Sequence, residues 1–295
     1  MLSAKQCWRT FYMQAFLGDK NENMKMKLFR NLAILSLFLG VFTASHAQCN
    51  MTNTAFKSGE YLSYNLYFNW KFVWVKVGSA TMSVVQTRYN NQPAYRGSLI
   101  TRSNSKADNL FVLRDTLQAY TSLKLAPQYY RKAANEGGRY YVDEVFYSYP
   151  NGRVHVKQHQ ISSKGTHEWK LSDMKDCVYD MLNIFLRARS FDPSKWKKGH
   201  AYRFTMIDGN KSRPALLKYR GKTTVKADNG RKYRCLHLSY MEQDDGKFKR
   251  VVDFYVSDDT NHVPVRLDMF LKFGSAKAFL VGMRGVRNNM ASQVR

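Results

Sequence analysis

From about residue 56 to residue 287 the chain is written in short alternating runs, and no other feature limits its fold as tightly. Val73 to Val85 reads V-W-V-K-V-G-S-A-T-M-S-V-V, with Val73, Val75 and Val77 on one side and Trp74 and Lys76 on the other. A period of two belongs to a half-buried strand, because successive side chains point to opposite faces. Gly78 within the run predicts a bulge or bend. Tyr61–Phe68, just before it, is rich in aromatic residues. Further strands are predicted at 94–102, 116–121, 127–133, 140–149 and 154–161, then at 202–207, 214–219, 222–225, 233–240, 247–256, 263–270 and 276–281. Asn90-Asn91-Gln92-Pro93, Glu136-Gly137-Gly138, Asp208-Gly209-Asn210, Asp228-Asn229-Gly230 and Asp244-Asp245-Gly246 supply turn chemistry between them. Pro150-Asn151-Gly152 is the strongest hairpin signal, since Asn-Gly accepts the positive φ of a tight turn.

One segment breaks the rhythm. In Cys177–Arg189, residues Val178, Met181, Leu182, Phe185 and Leu186 recur at helical spacing. Asp173 or Asp176 is placed to cap its start, Arg187 and Arg189 suit its C-terminal dipole, and Phe191-Asp192-Pro193 ends it. Residues 104–113 suggest one short helical turn. The expected fold is mostly β: a large antiparallel curved sheet or half-barrel with one main helix at about 177–189. A single domain over 56–287 follows, with a polar linker at 48–55 and a frayed polar tail at 288–295.

The N-terminal region has the pattern of an export signal. Lys25, Lys27 and Arg30 form a basic segment, Leu32–Phe42 is an uncharged apolar run, and Ser45-His46-Ala47 fits cleavage before Gln48. A run of about eleven residues is too short for a bilayer span, which needs roughly twenty. Residues 24–47 are therefore read as a Sec signal peptide, with residues 1–23 an upstream extension from a start called too early. Gln48 before Cys49 matches a lipobox poorly, so no lipid is expected there. The expected location is the periplasm or cell envelope.

The formal net charge is +25. An exported protein rarely meets nucleic acid, and the basic residues are spread out, with clusters as short as Lys195-Trp196-Lys197-Lys198. No nucleic-acid partner is expected. An anionic membrane surface or an acidic envelope glycan is the more natural electrostatic partner. Beyond the signal segment, Cys49, Cys177 and Cys235 allow at most one internal disulfide and leave one thiol over, without indicating which two pair. No C-x-x-C or zinc-like spacing occurs, and no cofactor is implied.

Signatures of catalysis are largely missing: there is no G-x-S-x-G, no glycine-rich phosphate loop and no H-E-x-x-H. His155 and His159 share a strand face and read as solvent-facing, since no third ligand accompanies them. The adjacent pairs Asp143-Glu144, Asp244-Asp245 and Asp258-Asp259 cannot act on one bond where neighbours point to opposite faces. Cys177 opens an apolar helix and reads as packed rather than nucleophilic. The aromatic residues Trp70, Phe72 and Trp74 near the first hairpin remain as ligand-binding candidates, against the alternative of ordinary cross-strand packing.

Ser58-Gly59-Glu60-Tyr61-Leu62-Ser63-Tyr64 followed by Val77-Gly78-Ser79-Ala80 resembles the opening of the bacterial domain-of-unknown-function 3108 family. Leu113-Arg114-Asp115-Thr116, the helix beginning Tyr179-Asp180-Met181-Leu182, the segment Val256–Val265 and Gly274–Ala278 are similar to later parts of it. The resemblance spans about residues 56–285. It implies a half-barrel around a helix, similar to the lipoprotein-localisation-factor (LolA/LolB-like) group, whose members shield lipid in such a concavity. It brings no catalytic residues, and it casts Gly59, Glu60, Asp115, Asp180 and Asp258 as turn, cap or strand-end positions. The signal region also resembles those of Bacteroidetes envelope proteins. The expected function is therefore non-enzymatic: an exported protein holding a lipid or other hydrophobic ligand in its curved sheet. The alternatives are a basic module for acidic glycan or anionic membrane, and a hydrolase with dispersed acids.

Overall fold

A computed structural model describes residues 49–70, 73–271 and 274–294; the signal segment, residues 1–23 and Phe72 lie outside them. The period-two runs become one sheet: β1 (Glu60–Trp70), β2 (Val73–Tyr89), β3 (Gln92–Ser103), β4 (Leu113–Ser122), β5 (Pro127–Glu136), β6 (Arg139–Ser148), β7 (Val154–Ile161), β8 (His167–Met174), β9 (Val178–Tyr179), β10 (Ala201–Asp208), β11 (Lys211–Lys226), β12 (Lys232–Asp244), β13 (Lys247–Ser257), β14 (Pro264–Leu271), β15 (Gly274–Arg284) and β16 (Gln293–Val294). The hydrogen-bonded order runs from β8 down to β1, then β15 down to β9, with β16 added beside β12. Neighbours are antiparallel except for the short parallel pair β9–β10.

The two ends of that path, β8 and β9, are joined by residues 175–177 alone. A three-residue connection forces opposite edges of the sheet together, so the meander curls into a nearly closed barrel. Side chains rather than ladder bonds cross the seam. Gln158 Nε2 donates to the Gly209 carbonyl at 2.6 Å, and Lys170 Nζ donates to that of Asn210 at 3.1 Å.

Inside the barrel, alternate residues of the strands form the buried lining. Glu60, Leu62, Tyr64 and Leu66 on β1, Ala80, Met82 and Val84 on β2, and Val154, Val156 and Gln158 on β7 are buried. One helix, Met181–Ala188, fills the interior and packs against β3, β4, β5, β9 and β10. Leu182 and Leu186 join the cluster built on β1, β2 and β4–β7, while Ile184 joins Phe204, Met206, Leu217 and Tyr240 on β10–β12. A helix apolar on several sides belongs in a core. It comes close to the wall at Gly97 on β3, where a Cβ would lie 2.8 Å from Leu186 Cδ1.

Several boundaries differ from the sequence expectation. The helix is shorter than 177–189, because Val178 and Tyr179 pair with Thr205 and Met206 as strand β9. Its cap is Asp180, not Asp173 or Asp176: Asp180 Oδ1 accepts from the backbone N–H groups of Leu182 and Asn183 at 3.1 and 2.8 Å. The runs 214–219 and 222–225 are one strand, β11, interrupted by a bulge before Gly221. Strand β8 was not anticipated. It is an edge strand with Trp169 and Leu171 exposed, so no alternation marked it.

The segment expected as a linker is docked. Asn53 is buried, its side-chain oxygen accepts from the N–H groups of Ala55 and Phe56, and both of those residues are fully buried. The tail expected to fray is also tied down. Asn261 Nδ2 donates to the carbonyls of Asn288 and Asn289 at 3.0 and 3.2 Å, and β16 pairs with β12. Cys49 and Cys177 form the disulfide, and burial pushes the remaining thiol, Cys235, up to about 12. Among the described residues no helix is long and apolar enough to cross a membrane.

Candidate ligand site on the concave face

The helix and the buried side chains around it fill only part of the concave face. Towards the rim where β1 passes into β2 and β14 into β15, inward positions become partly exposed. On β14, Val265 is fully buried, whereas Leu267 and Met269, two and four residues on, are not. On β13 the same change runs from Val256 to Phe254 and Val252. Phe185 of the helix meets Phe254 with ring centroids 5.8 Å apart, forming an apolar floor and wall.

The other arc of the barrel, β4 to β7, carries polar groups on its inward face. Lys132 Nζ donates to the Tyr141 hydroxyl at 2.7 Å and pairs with Glu136 at 3.2 Å. Gln160 Nε2 donates to Asp143 Oδ1 at 2.8 Å. Asp115 is 9% exposed, and its buried Oδ1 has no hydrogen-bond partner among the described residues. Burial, then repulsion from Glu136, pushes Asp115 from 3.8 up to about 7. Burial likewise raises Asp143, and it raises Asp180 to about 6.

These shifts set a pH dependence. The folded state binds protons more tightly than the unfolded chain at all three acids, so stability is greatest below pH 4 for these groups and is lost as pH rises from about 4 to about 7. Asp115→Asn, which mimics the protonated acid, should remove much of that loss. At pH 8 the variant should be more stable than wild type by on the order of 1–3 kcal/mol, since a tenfold change in proton affinity is about 1.4 kcal/mol. Urea denaturation at pH 5 and pH 8 reads this directly; parallel pH profiles for the two proteins would contradict it.

The residues singled out by motif resemblance gather at the opposite end of the barrel, with Asp115 the exception. Gly59 has φ +89°, and a Cβ on Gly285 would lie 2.3 Å from its carbonyl oxygen. Next to it, Glu60 is 1% exposed and takes both guanidinium nitrogens of Arg189. Arg189 also donates from Nε and Nη2 to the Asn261 carbonyl at 3.2 and 3.0 Å. Arg189 was expected only to complement a helix dipole; it is instead a buried ion-pair partner that joins β1, the helix and the turn after β13. Asp180 caps the helix and accepts from the Tyr147 hydroxyl at 2.8 Å. Asp258, just beyond β13, pairs with Lys222 at 2.8 Å.

The sequence profile of the protein of unknown function (DUF3108) family matches residues 63–281. The chain belongs to this family. Among solved structures, a β-barrel-like protein of domain of unknown function DUF1849 from Brucella abortus is similar in fold at 13% identity. The match covers 78% of this chain and 98% of that one, with a TM-score of 0.51. A protein with a YmcC-like fold from Bacteroides fragilis NCTC 9343 is 10% identical, with a TM-score of 0.34 over 80% of this chain and 100% of that one. No functionally curated protein matches the sequence.

Other sequence candidates in this DUF3108 chain are scattered over the barrel. Trp74 lies at the start of β2, 37% exposed, with Lys277 Nζ 3.9 Å from its ring centre. Trp70 ends β1 opposite Val73, and Phe72 lies outside the described residues. Of the two histidines expected to face solvent, His155 keeps a partly exposed side chain, whereas His159 does not. His159 is buried, stacks on Trp169 at 3.8 Å, and bonds Glu144 at 2.9 Å and His167 at 3.0 Å. His155 pairs with Asp173 at 2.5 Å. Their carboxylates come from neighbouring strands, a pairing that spacing within one strand does not show. No group of His, Cys, Asp and Glu suited to a metal ion occurs among the described residues. Asp143 and Glu144 do point to opposite faces, one to Gln160 inside and the other to His159 outside. Cys177, in its disulfide, is no nucleophile. It lines a shallow recess of about 510 Å³ beside the seam, together with Tyr179, Arg187, Tyr202 and Arg203.

Proposed function

We propose that the protein is an exported, non-enzymatic carrier that holds an amphipathic ligand, a lipid or lipid-like molecule, in the open part of its concave face. The observation behind this reading is the division of that face. Leu267, Met269, Val252, Phe254 and Phe185 offer apolar surface to a chain. Lys132, Tyr141 and Asp115 on the other arc offer charge and hydrogen bonds to a head group. Sites for small molecules generally combine a mainly apolar lining with a few placed polar groups. The likeness to lipid-shielding half-barrels adds an analogy of fold alone. The Cys49–Cys177 disulfide supports export, because such bonds persist in oxidising compartments.

Organic extraction of protein purified from its native envelope, followed by mass spectrometry, should recover a bound amphiphile. Met269→Arg, which places a charge on the apolar wall, should weaken binding of a fluorescent fatty-acid probe at least tenfold. Absence of any extracted amphiphile, together with no probe binding by wild type, rejects the reading.

A further inference from the structure

The strand tips at the open rim carry a separate feature. Val73, Trp74, Val75 and Lys76 are four consecutive exposed residues, so both faces of β2 are bare there. Val73 is 62% exposed and Val75 45%. In the sheet order β2-β1-β15-β14, strand β14 ends in Phe270 and Leu271, both exposed. These strands form a four-stranded projection. Beside it, the β3–β4 connection exposes Leu110 at 73%. A strand tip bare on both faces and surrounded by water is ordinarily polar; contiguous exposed apolar groups mark an interaction surface.

Charge identifies the partner. There is no aspartate or glutamate from Tyr61 to Ala107, nor from Met269 to Arg295. Each exposed aromatic side chain of the projection carries a cation: Lys277 lies over Trp74 at 3.9 Å and Arg250 over Phe270 at 4.1 Å. Lys76 and Lys106 are exposed nearby. Aromatic rings and long cationic side chains together suit the boundary between head groups and acyl chains, where the apolar part is buried and the charge meets phosphate. A second copy of this chain would bring the same excess of positive charge and be repelled.

We propose that this projection docks the protein onto an anionic lipid surface, with Val73, Trp74, Val75, Phe270 and Leu271 entering the interface and the surrounding lysines and arginines meeting the head groups. The proposal does not depend on a ligand inside the barrel. It is tested by flotation of the exported, processed protein with vesicles of phosphatidylcholine containing phosphatidylglycerol, and with phosphatidylcholine alone. Wild type should bind the anionic vesicles at least tenfold better than the neutral ones, and less as salt is raised. The triple variant Val73→Ser, Trp74→Ser, Leu271→Ser should lose at least tenfold while keeping its unfolding midpoint, as these side chains are exposed. Lys76→Glu with Lys106→Glu should weaken binding to anionic vesicles alone. Unchanged binding by the triple variant, or no binding by wild type, overturns the proposal. So does self-association of wild type that the triple variant abolishes in the absence of vesicles, which would assign the projection to a second copy.

Discussion

Replacing Arg189 with methionine should destabilise the protein by about 3–5 kcal/mol, the range for breaking a buried ion pair from one side. Arg189 is 2% exposed and Glu60 1%. The guanidinium satisfies both carboxylate oxygens and the Asn261 carbonyl. Removing it leaves a buried carboxylate without its counter-charge and a carbonyl without its donor, and both costs fall at the point where β1, the helix end and the 258–263 turn meet. The double variant Glu60→Leu, Arg189→Met should recover a substantial part of the loss, since an apolar pair of similar volume carries no unpaired charge. Chemical denaturation of the two single variants and the double variant measures this. A loss below about 1 kcal/mol for Arg189→Met would show that the pair does not hold the segments together, because ion pairs of that worth are typical of exposed surfaces.

Cys49→Ser, or reduction of the Cys49–Cys177 disulfide, should cost about 2–5 kcal/mol by releasing a long loop in the unfolded chain. The bond closes a separation of 128 residues, near the upper end of that scale. It also anchors the docked N-terminal segment. The Cys49 carbonyl accepts from Arg187 Nη1 at 2.6 Å, and the Met51 N–H donates to the Lys124 carbonyl at 2.6 Å. Denaturation with and without dithiothreitol reads the effect, and the Cys49→Ser variant should be insensitive to the reductant. Equal stability of wild type in both conditions would count against a structural role. Cys235 should stay unreactive throughout until unfolding, because its thiol is buried.

Much of this fold was legible because a barrel wall that is apolar inside and wet outside must alternate, as Leu113–Ser122 does from Asp115 onward. The DUF3108 motifs were legible in the same way, as short residues at turns and caps. What the sequence could not show was anything that depends on which segments meet. Asp180 stood in a motif among residues cast as turn, cap or strand-end positions, but that it caps the helix in place of Asp173 or Asp176 depends on residues 178–179 pairing with β10. Arg189 looked like one of many cations until Glu60, well over a hundred positions earlier, came to face it. His159 acquires Glu144 and His167 from flanking strands, and the disulfide could have been any of three pairings. On the concave face, alternation told inward from outward but not filled from open, because the helix that does the filling comes from a distant part of the chain. Asp115 and Met269 look no different in sequence from neighbours that are fully packed.

The seam between β8 and β9 gives the molecule the mechanics of a split ring. In a closed barrel the hydrogen-bond ladder fixes the circumference, so the bore cannot change without breaking backbone pairing. Here the ladder ends on both sides of the gap, and the ends are held by a three-residue strap and by contacts such as Gln158 to Gly209 and Lys170 to Asn210. Widening the bore would exchange those few side-chain bonds for water while every strand kept its partners. The girth of such a ring is set by what fills it, so contents of different size could be accommodated by the same wall.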